Sequence, residues 1–381
     1  MNTSKSQRTI ENNIGRFRTA GGRIGPACGS DAGRAAGTAN GEAVGGARGR
    51  SDERRDLTAE RLRSDMRVLV TGATGFVGGR LVPALVEAGH EVVALVRDPD
   101  RYEAPPDVTV RSGDLLEPGS FEGALEGVDA AYYLVHSMHA GPDYAERDRR
   151  AAHNFAKAAD ARGVDRVIYL GGLGEERDRL SEHLQSRREV EYILANHEFD
   201  LTTLRAAVVI GEGSASFEVV RQLGKRLPLM ITPKWVRTPC QPIAIDDVIA
   251  YLVGVLDSEA TRDGTFEIGG PEVLTYEALI RRTARLAGRR EPYVLPVPVL
   301  TPKLSAYWLG LVTEVPTSVA HPLILGLKNP VVVTDHRIEE LVPVEPTPFE
   351  EAVRRALGED AAPVESAGPG ESAPEDQPKV S

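Results

Sequence analysis

The chain has 381 residues, which is enough for two small domains or for one large α/β domain. Its 45 basic and 56 acidic residues give a net charge of −11, and this balance argues against a general nucleic-acid binder, which needs a basic face. The two cysteines, Cys28 and Cys240, are far apart in the sequence, so we expect neither a disulfide framework nor a metal site built on a CxxC motif.

The two ends of the chain have the composition of disordered segments. Residues 1–65 are rich in Gly, Ala, Arg and Ser, and residues 359–381 are rich in Pro, Glu and Ser. Met66 directly precedes the first predicted strand, and we interpret it as the true start, with residues 1–65 as upstream read-through; a genuine flexible tail is the alternative. No apolar run is long enough to span a membrane and no secretory signal is present, so we expect a cytoplasmic protein.

The segment from residue 66 to residue 98 predicts a strand (Val68 to Val70), a glycine-rich turn, a helix and a second strand (Val92 to Val96). In this arrangement the first glycine permits a tight turn, the second lets the backbone approach a pyrophosphate, and the third lets the helix pack closely on the sheet. The N–H groups at the start of the helix then face the phosphates. We therefore predict a dinucleotide site whose loop contacts are Gly72, Thr74, Gly75, Phe76, Val77 and Gly78.

Strands and helices continue to alternate as far as residue 211. The predicted strands are Val108 to Arg111, Ala130 to Val135, Arg166 to Leu170 and Leu201 to Val209, and the predicted helices are Tyr144 to Arg162 and Leu184 to Asn196. This alternation indicates an α/β fold, a Rossmann-type doubly wound parallel sheet with helices on both faces, over residues 66–240. In such sheets a ligand lies across the carboxyl ends of the strands.

The pattern is looser in the C-terminal part of the chain. We expect helices at Phe217 to Leu227, within residues 240–256 and at Tyr276 to Leu286, a strand at Thr265 to Ile268, and an apolar, proline-broken stretch over residues 293–334. Asp246 and Asp247 precede an apolar run and are interpreted as a helix N-cap. Residues 241–358 are predicted to form a smaller substrate lobe, interleaved with the Rossmann-type domain. Its cleft or its core would hold Trp235, Arg237, Tyr307 and Trp308.

Several separated motifs occur in an order typical of one family. They are TGATGFVG (71–78), GDL (113–115), YYLVHS (132–137), RVIYLGGLG (166–174), LRAAVVIG (204–211), PIAIDDVIAYLVGVL (242–256) and FEIGGPEVLTYEALI (266–280). Over residues 66–290 the chain resembles the short-chain dehydrogenase/reductase superfamily. It is similar to the extended and atypical branches, which include NmrA-like proteins and the nucleotide-binding accessory subunit of respiratory complex I. The resemblance implies that Asp114 and Leu115 lie beside the adenine and that Leu134, Val135 and His136 lie beside the nicotinamide.

The choice of cofactor depends on the end of the second strand. NAD enzymes usually place an acidic residue there, about 20 residues after the loop, to bind the ribose 2′-hydroxyl. This chain has Arg97, whose guanidinium can hold a 2′-phosphate with two parallel hydrogen bonds. We therefore favour NADP(H) over NAD(H). Asp98 keeps NAD open, and a solvated loop residue is the alternative for Arg97.

The resemblance also places the catalytic positions, and all of them are altered. Family enzymes use a Ser or Thr, a Tyr and a Lys, and HLQSRREVE (183–191) puts His183 at the tyrosine position and Arg187 at the lysine position. The serine position falls on Gly171 or Gly172. Arg187 stays protonated and can bind ribose or phosphate. His183 is a candidate general acid near neutrality, with an exposed residue at a helix start as its alternative.

Other candidate groups have a simpler interpretation. Ser137 and Tyr169 are the hydroxyls expected near the altered triad. His136 and His139 are expected to line the pocket wall rather than to bind metal, because no third ligand accompanies them. The basic run Arg147, Arg149 and Arg150 is expected to form a solvated helix face.

These observations predict an NAD(P)H-binding oxidoreductase with a degenerate triad, acting on a small hydrophobic carbonyl or quinone. A non-catalytic NADP(H)-binding regulator of the NmrA-like kind and an accessory or assembly protein of a respiratory complex are the alternatives. The expected partner is a small-molecule substrate and not nucleic acid, and a protein partner or a homo-oligomer stays open.

Overall fold

The computed structural model describes residues 66–137, 141, 143–174, 180–226, 229–297, 327–358 and 361. The expectations for residues 1–65, and for the C-terminal tail apart from residue 361, lie outside this part of the chain. His139, Tyr307, Trp308 and the side chain of Trp235 lie outside it as well.

Strands and helices alternate from the first described residue onward. The strands are β1 (Arg67–Thr71), β2 (Glu91–Val96), β3 (Thr109–Ser112), β4 (Ala130–Tyr133), β5 (Arg166–Gly172), β6 (Asp200–Ala206), β7 (Val209–Ile210), β8 (Leu229–Pro233), β9 (Pro239–Cys240), β10 (Ile243–Ala244), β11 (Thr265–Ile268), β12 (Leu274–Thr275) and β13 (Tyr293–Val297). The helices are α1 (Gly78–Glu87), α2 (Tyr144–Arg162), α3 (Glu182–Leu194), α4 (Ala215–Arg226), α5 (Ile245–Asp257), α6 (Tyr276–Leu286), α7 (Arg337–Leu341) and α8 (Phe349–Leu357).

Seven of these strands form one sheet in the order β11-β6-β5-β4-β1-β2-β3. Every neighbouring pair in it is parallel. The chain runs from β1 through β2 to β3 at one edge, and then returns to the other side of β1 and continues through β4, β5 and β6 to β11. The strand order therefore reverses between β1 and β4, and a crevice opens beyond the carboxyl ends of these two strands. The predicted α/β fold with a doubly wound parallel sheet is confirmed.

The central strands of this sheet are buried on both faces, as the apolar runs in the sequence require. Val68 and Val70 of β1 pack with Leu81 of α1 and Leu252 of α5 on one face. Leu69, which points to the other face, packs in a cluster with the alanine-rich side of α2, with Phe155 of that helix and with Val190 of α3. Helices therefore cover both faces of the sheet.

One predicted strand is divided in the structure. The sequence predicts a single strand from Leu201 to Val209, but β6 ends at Ala206 and the chain leaves the main sheet. β7 then pairs with β10, and the N–H of Ile243 donates to the carbonyl of Val208. The break is caused by pairing with a distant segment, which the local apolar pattern does not encode.

The predicted cap of α5 is wrong. The N-cap is Ala244, and no side chain accepts a hydrogen bond there. Asp246 and Asp247 lie in the first turn instead, where acidic side chains stabilise the helix dipole. Asp247 is buried and accepts hydrogen bonds from the backbone N–H (2.8 Å) and the hydroxyl (2.7 Å) of Thr347. This carboxylate binds the C-terminal segment to the fold.

The C-terminal part of the chain builds a second apolar core. Phe217 and Leu223 of α4, Ile280 of α6 and Phe349 and Val353 of α8 belong to one buried cluster. Two later elements pack with the main sheet instead, because β11 pairs with β6 and α5 contacts α1. The division at residue 240 stays a prediction. None of the helices in the described part of the chain is long and apolar enough to cross a membrane.

Candidate functional site

A cavity of about 810 Å³ lies at the carboxyl ends of the central strands. It brings together most of the site residues that the sequence predicts, which are Gly72, Thr74, Gly75, Phe76, Arg97, Asp114, Leu115, Leu134, Val135, His136, His183 and Arg187. Val77 and Gly78 do not line it. The cavity extends from the ends of β2 and β3, past the glycine loop, to the C-terminal lobe.

The glycine loop between β1 and α1 closes on its own backbone. Gly72 has a φ of +70°, and a Cβ there would lie 3.0 Å from the carbonyl oxygen of Leu134. The N–H of Gly75 donates to the carbonyl of Gly72 at 2.9 Å. A Cβ at Gly78 would lie 2.3 Å from that same carbonyl oxygen. The third glycine therefore lets the start of α1 lie close against the loop that directly follows β1.

The start of α1 has backbone N–H donors without partners among the described residues, and one of them belongs to Phe76, which lines the cavity. The N-cap is Val77, no side chain caps the helix, and its first turn has no acidic residue. Within the described part of the chain, no backbone carbonyl accepts from the N–H of Phe76 or of Val77. Unsatisfied N–H groups at a helix N-terminus are suited to a phosphate.

Phe76 fixes the glycine loop against the segment that follows β7. The guanidinium of Arg80 lies over the Phe76 ring, and its N–H groups donate to the carbonyls of Phe76 (2.9 Å) and Glu212 (2.8 Å). A Cβ at Gly211 would lie 2.9 Å from the Phe76 ring. The sequence analysis missed Arg80 and Gly211. Arg80 lies four residues after Phe76 at the start of a helix, and this spacing is the sequence signal for a contact between the two side chains.

The far end of the cavity is built by the residues after β2 and β3. Arg97 is exposed, lines the cavity and forms no ion pair with a described carboxylate, whereas Asp98 does not line the cavity. Asp114 lines the cavity, and one of its carboxylate oxygens accepts the N–H of Leu116 at 2.9 Å. Asp114 is therefore a turn residue as well as a wall of the cavity. Asn154 of α2 donates to the carbonyl of Leu115 at 2.7 Å and holds this loop in place.

A threonine joins the two strands at the point where the strand order reverses. The hydroxyl of Thr71 donates to the carbonyl of Tyr132 (2.9 Å) and accepts the N–H of Leu134 (3.1 Å). The chain after β4 is thereby fixed beside the glycine loop. Leu134, Val135 and His136 follow directly and line the cavity.

His183 and Arg187 lie one turn apart on α3 and both line the cavity. Burial, assisted by the charge of Arg187, lowers the pKa of His183 to about 3. The imidazole is therefore neutral at neutral pH, which argues against the role of a general acid near neutrality; that role stays a prediction. Burial alone would lower the pKa of Arg187, but Tyr169 and the buried carboxylate of Asp148 outweigh it and raise that pKa above its ordinary value. Arg187 is a permanent cation.

Gly172 is one of the two candidate positions of the family serine, and packing leaves no room for a side chain there. A Cβ at Gly172 would lie 2.8 Å from Cδ2 of Leu184, the residue after His183. A side chain at Gly172 would therefore have to displace the leucine. Of the two hydroxyls expected nearby, Ser137 lines the cavity. Tyr169 does not line it, because it is fully buried and its hydroxyl donates to the backbone carbonyl of Arg187 at 3.1 Å.

The expectation of a solvated basic face on α2 is wrong in part. Arg149 does pair with Glu189 at the surface. Arg147, however, lines the cavity, as does Ala151 one turn later. Asp148 is buried and accepts hydrogen bonds from the N–H of Ser137 (2.7 Å) and the hydroxyl of Ser186 (3.3 Å). The alternation of buried and exposed positions along α2 separates these neighbours, and charge alone does not reveal it.

The other end of the cavity is apolar and comes from the C-terminal lobe. Its walls include Val219, Val220, Leu223, Ile280, Leu327 and Val331, with the hydroxyls of Ser214 and Ser216 at the start of α4. Arg237 does not line the cavity. It is exposed, and its Nε lies 3.9 Å from Oε2 of Glu277. Among the residues that the structure describes, no group of three or more His, Cys, Asp or Glu side chains is placed to hold a metal ion.

The sheet and the cavity at its switch point have the architecture of a Rossmann-type domain. Residues 72–233 match the model of a family described as NAD(P)H-binding.

Known proteins of several kinds resemble the chain. It is 34% identical over 119 residues to a 3-beta-hydroxysteroid dehydrogenase of Mycolicibacterium neoaurum, and this match covers 28% of the chain and 32% of that protein. It is 27% identical over 274 residues to the mitochondrial NADH dehydrogenase (ubiquinone) 1 alpha subcomplex subunit 9 of Arabidopsis thaliana, covering 68% of the chain and 67% of that protein. The chain thus spans about a third of the first relative and two thirds of the second.

A solved structure shows the same fold. The triphenylmethane reductase of Citrobacter sp., complexed with NADP(H), superposes with a TM-score of 0.61 at 21% identity, covering 76% of this chain and all of that one. The resemblance to nucleotide-binding dehydrogenases and reductases, and to a complex I subunit, is confirmed.

Proposed function

We propose that the protein is an NADP(H)-dependent oxidoreductase that reduces a small hydrophobic carbonyl compound or quinone. The observation that carries this proposal is the continuity of the cavity. One end has the glycine loop and Arg97, the middle has His136, His183 and Arg187, and the other end is apolar. A dinucleotide in such a cavity reaches from the glycine loop toward a space of the right character for an apolar substrate.

The residues present fit a nicotinamide dinucleotide. The free N–H of Phe76, a residue that lines the cavity, suits its pyrophosphate. Arg97 suits a 2′-phosphate through two parallel N–H donors, and this supports NADP(H) over NAD(H). Bound there, the reduced cofactor would supply a hydride to the substrate.

The substituted residues then position the reactants. Arg187 would hold the ribose hydroxyls of the bound cofactor through a charge that does not titrate, in place of the family lysine. His183 is neutral and acts as a hydrogen-bond partner instead of a proton donor. Leu184, packed against Gly172, excludes water from one of the two candidate positions of the family serine. The proton for a reduced oxygen comes from water or through Ser137, whose side chain lines the cavity.

A non-catalytic role is the second candidate, as an NADP(H)-binding regulator or an accessory protein of a respiratory complex. Two observations favour it. The low pKa of His183 makes this residue a poor general acid, and the likeness to the complex I subunit extends over 68% of the chain. In that role Arg187 and the glycine loop would bind the dinucleotide as a fixed part of the fold.

The test is an assay of NADPH oxidation by the full chain, in which the decrease in NADPH absorbance is recorded with each of a panel of quinones, aldehydes and ketones as the acceptor. We expect turnover with at least one apolar acceptor, and a loss of at least tenfold in kcat/KM in Arg187→Gln. The control Arg149→Gln changes an exposed arginine and leaves kcat/KM unchanged. NADPH binding without turnover on any acceptor would favour the second candidate.

A further inference from the structure

We propose that Arg147 is the anchor for an anionic group, a carboxylate, on the otherwise apolar substrate. This inference rests on the proposed function and names the substrate class for the same cavity. Arg147 lies in the first part of α2, lines the cavity with Ser137 and His136, and is absent from the family positions that the sequence analysis identified.

The distribution of charge in the cavity is one argument. Its lining arginines are Arg97, Arg147 and Arg187. Among the described residues that line it, Asp114 is the one with a carboxylate, and it lies with Arg97 at the end formed after β2 and β3. Arg147 and Arg187 therefore give the middle of the cavity a positive potential, which favours an anionic ligand.

The second argument is that the guanidinium of Arg147 has a hydrogen-bond donor without a partner among the described residues. Its Nε is buried and has no hydrogen-bond partner among the described residues. No described carboxylate forms an ion pair with it, whereas Arg149 and Arg162 on the same helix pair with Glu189 and Glu126, both at 2.7 Å. In the described part of the chain no carboxylate therefore neutralises the guanidinium of Arg147, and an anionic ligand in the cavity would do so.

Neighbouring groups do not neutralise Arg147. The carboxylate of Asp148 already accepts the N–H of Ser137 and the hydroxyl of Ser186, and its charge raises the pKa of Arg187. A guanidinium binds a planar carboxylate through two parallel hydrogen bonds. Beyond it, Val219, Leu223 and Ile280 offer an apolar wall for the body of the ligand. Together these features fit an aromatic or aliphatic carboxylic acid.

The experiment uses naphthoate and naphthamide, which share an apolar body and differ in charge. The full chain is first titrated with NADPH by calorimetry, and then each probe is titrated into the protein with NADP⁺ present. We expect naphthoate to bind at least tenfold more tightly than naphthamide. We expect Arg147→Gln to abolish that preference, Arg147→Lys to keep part of it, and the control Arg149→Gln to keep all of it.

The outcomes separate this inference from the proposed function. Equal affinity for the two probes, no detectable binding of either, or a preference that survives in Arg147→Gln would overturn the assignment of Arg147. A tenfold loss of NADPH affinity in Arg147→Gln would also overturn it, because Arg147 would then bind the cofactor. If the unaltered protein does not bind NADPH, the proposed function itself fails.

Discussion

The guanidinium of Arg80 lies over the ring of Phe76, with 4.7 Å between Cζ and the ring centroid. The same side chain donates hydrogen bonds to the carbonyls of Phe76 and Glu212, so one residue of α1 fixes the glycine loop to a segment 132 positions further along the chain. The position of the loop N–H groups therefore depends on a side chain that does not itself line the cavity.

Arg80→Ala should lower both the stability of the protein and its affinity for NADPH. The loss of a cation–π contact and of two hydrogen bonds from a charged donor should reduce the free energy of unfolding by about 2 kcal/mol. Urea unfolding measures the first effect and calorimetry the second. Arg101→Ala, at an exposed arginine after β2, serves as the control. Unchanged NADPH affinity in Arg80→Ala would show that the loop holds its shape without the arginine.

Gly78→Ala should abolish NADPH binding, whereas Gly79→Ala should not. A Cβ at Gly78 would lie 2.3 Å from the carbonyl oxygen of Gly72, so the loop would have to open. At Gly79 the nearest atom to a new Cβ is 3.6 Å away, which is an ordinary contact. Both substitutions raise helix propensity, so the comparison isolates the loop. Calorimetric titration of both variants makes the test, and equal affinities would contradict it.

The titration of His183 should affect the stability of the protein under acid conditions. Burial and Arg187 lower its pKa from 6.5 to about 3, so between these values the unfolded chain binds a proton that the folded chain does not. This contribution to stability is complete above the unfolded pKa and is lost as the pH falls through this range. We expect His183→Leu to lose less stability than the unaltered protein between about pH 7 and about pH 5.

Urea unfolding at the two pH values measures that difference, with the exposed His153→Leu as control. The ring signals of His183 in NMR spectra give a direct readout. A His183 ring that titrates near its ordinary pKa would contradict the prediction and restore the residue as a candidate acid.

Asp247→Ala should destabilise the fold far more than Asp246→Ala, although the two residues are adjacent. The buried carboxylate of Asp247 accepts two hydrogen bonds from Thr347, and its removal leaves those donors without a partner, at a cost of about 3 kcal/mol. Asp246 forms an exposed ion pair with Arg355, which is worth about 0.5 kcal/mol. Thermal and urea unfolding of both variants make the comparison. Similar losses would show that the contact with Thr347 does not hold the C-terminal segment.

The local patterns in the sequence were sufficient for the sheet and for one end of the cavity. Glycine spacing and apolar periodicity are properties of neighbouring residues, so the loop at Gly72, the strands β1 to β5 and the position of Arg97 followed from them. The order of the motifs placed Asp114, His136 and His183 along the same edge of the sheet, and the structure brings all of them to one cavity.

The features that were missed depend on contacts between distant segments. β6 ends early because β10 pairs with β7. Asp247 does not cap α5, and its carboxylate instead accepts hydrogen bonds from Thr347, 100 positions further along the chain. The charge state of His183 depends on how deeply α3 packs and on its distance from Arg187. Arg147 was assigned to a solvated face because its charged neighbours on α2 are exposed, while its own side of the helix faces the cavity.

The affinity of the full chain for NADPH and for NADH, measured by calorimetric titration, is the most direct test of the central claim. The account predicts that NADPH binds more tightly than NADH, that Arg97→Ala removes this preference, and that Gly78→Ala binds neither nucleotide. Equal affinity for NADPH and NADH would contradict the assignment of Arg97 to the 2′-phosphate. If neither nucleotide bound to the unaltered protein, the cavity would not be a dinucleotide site.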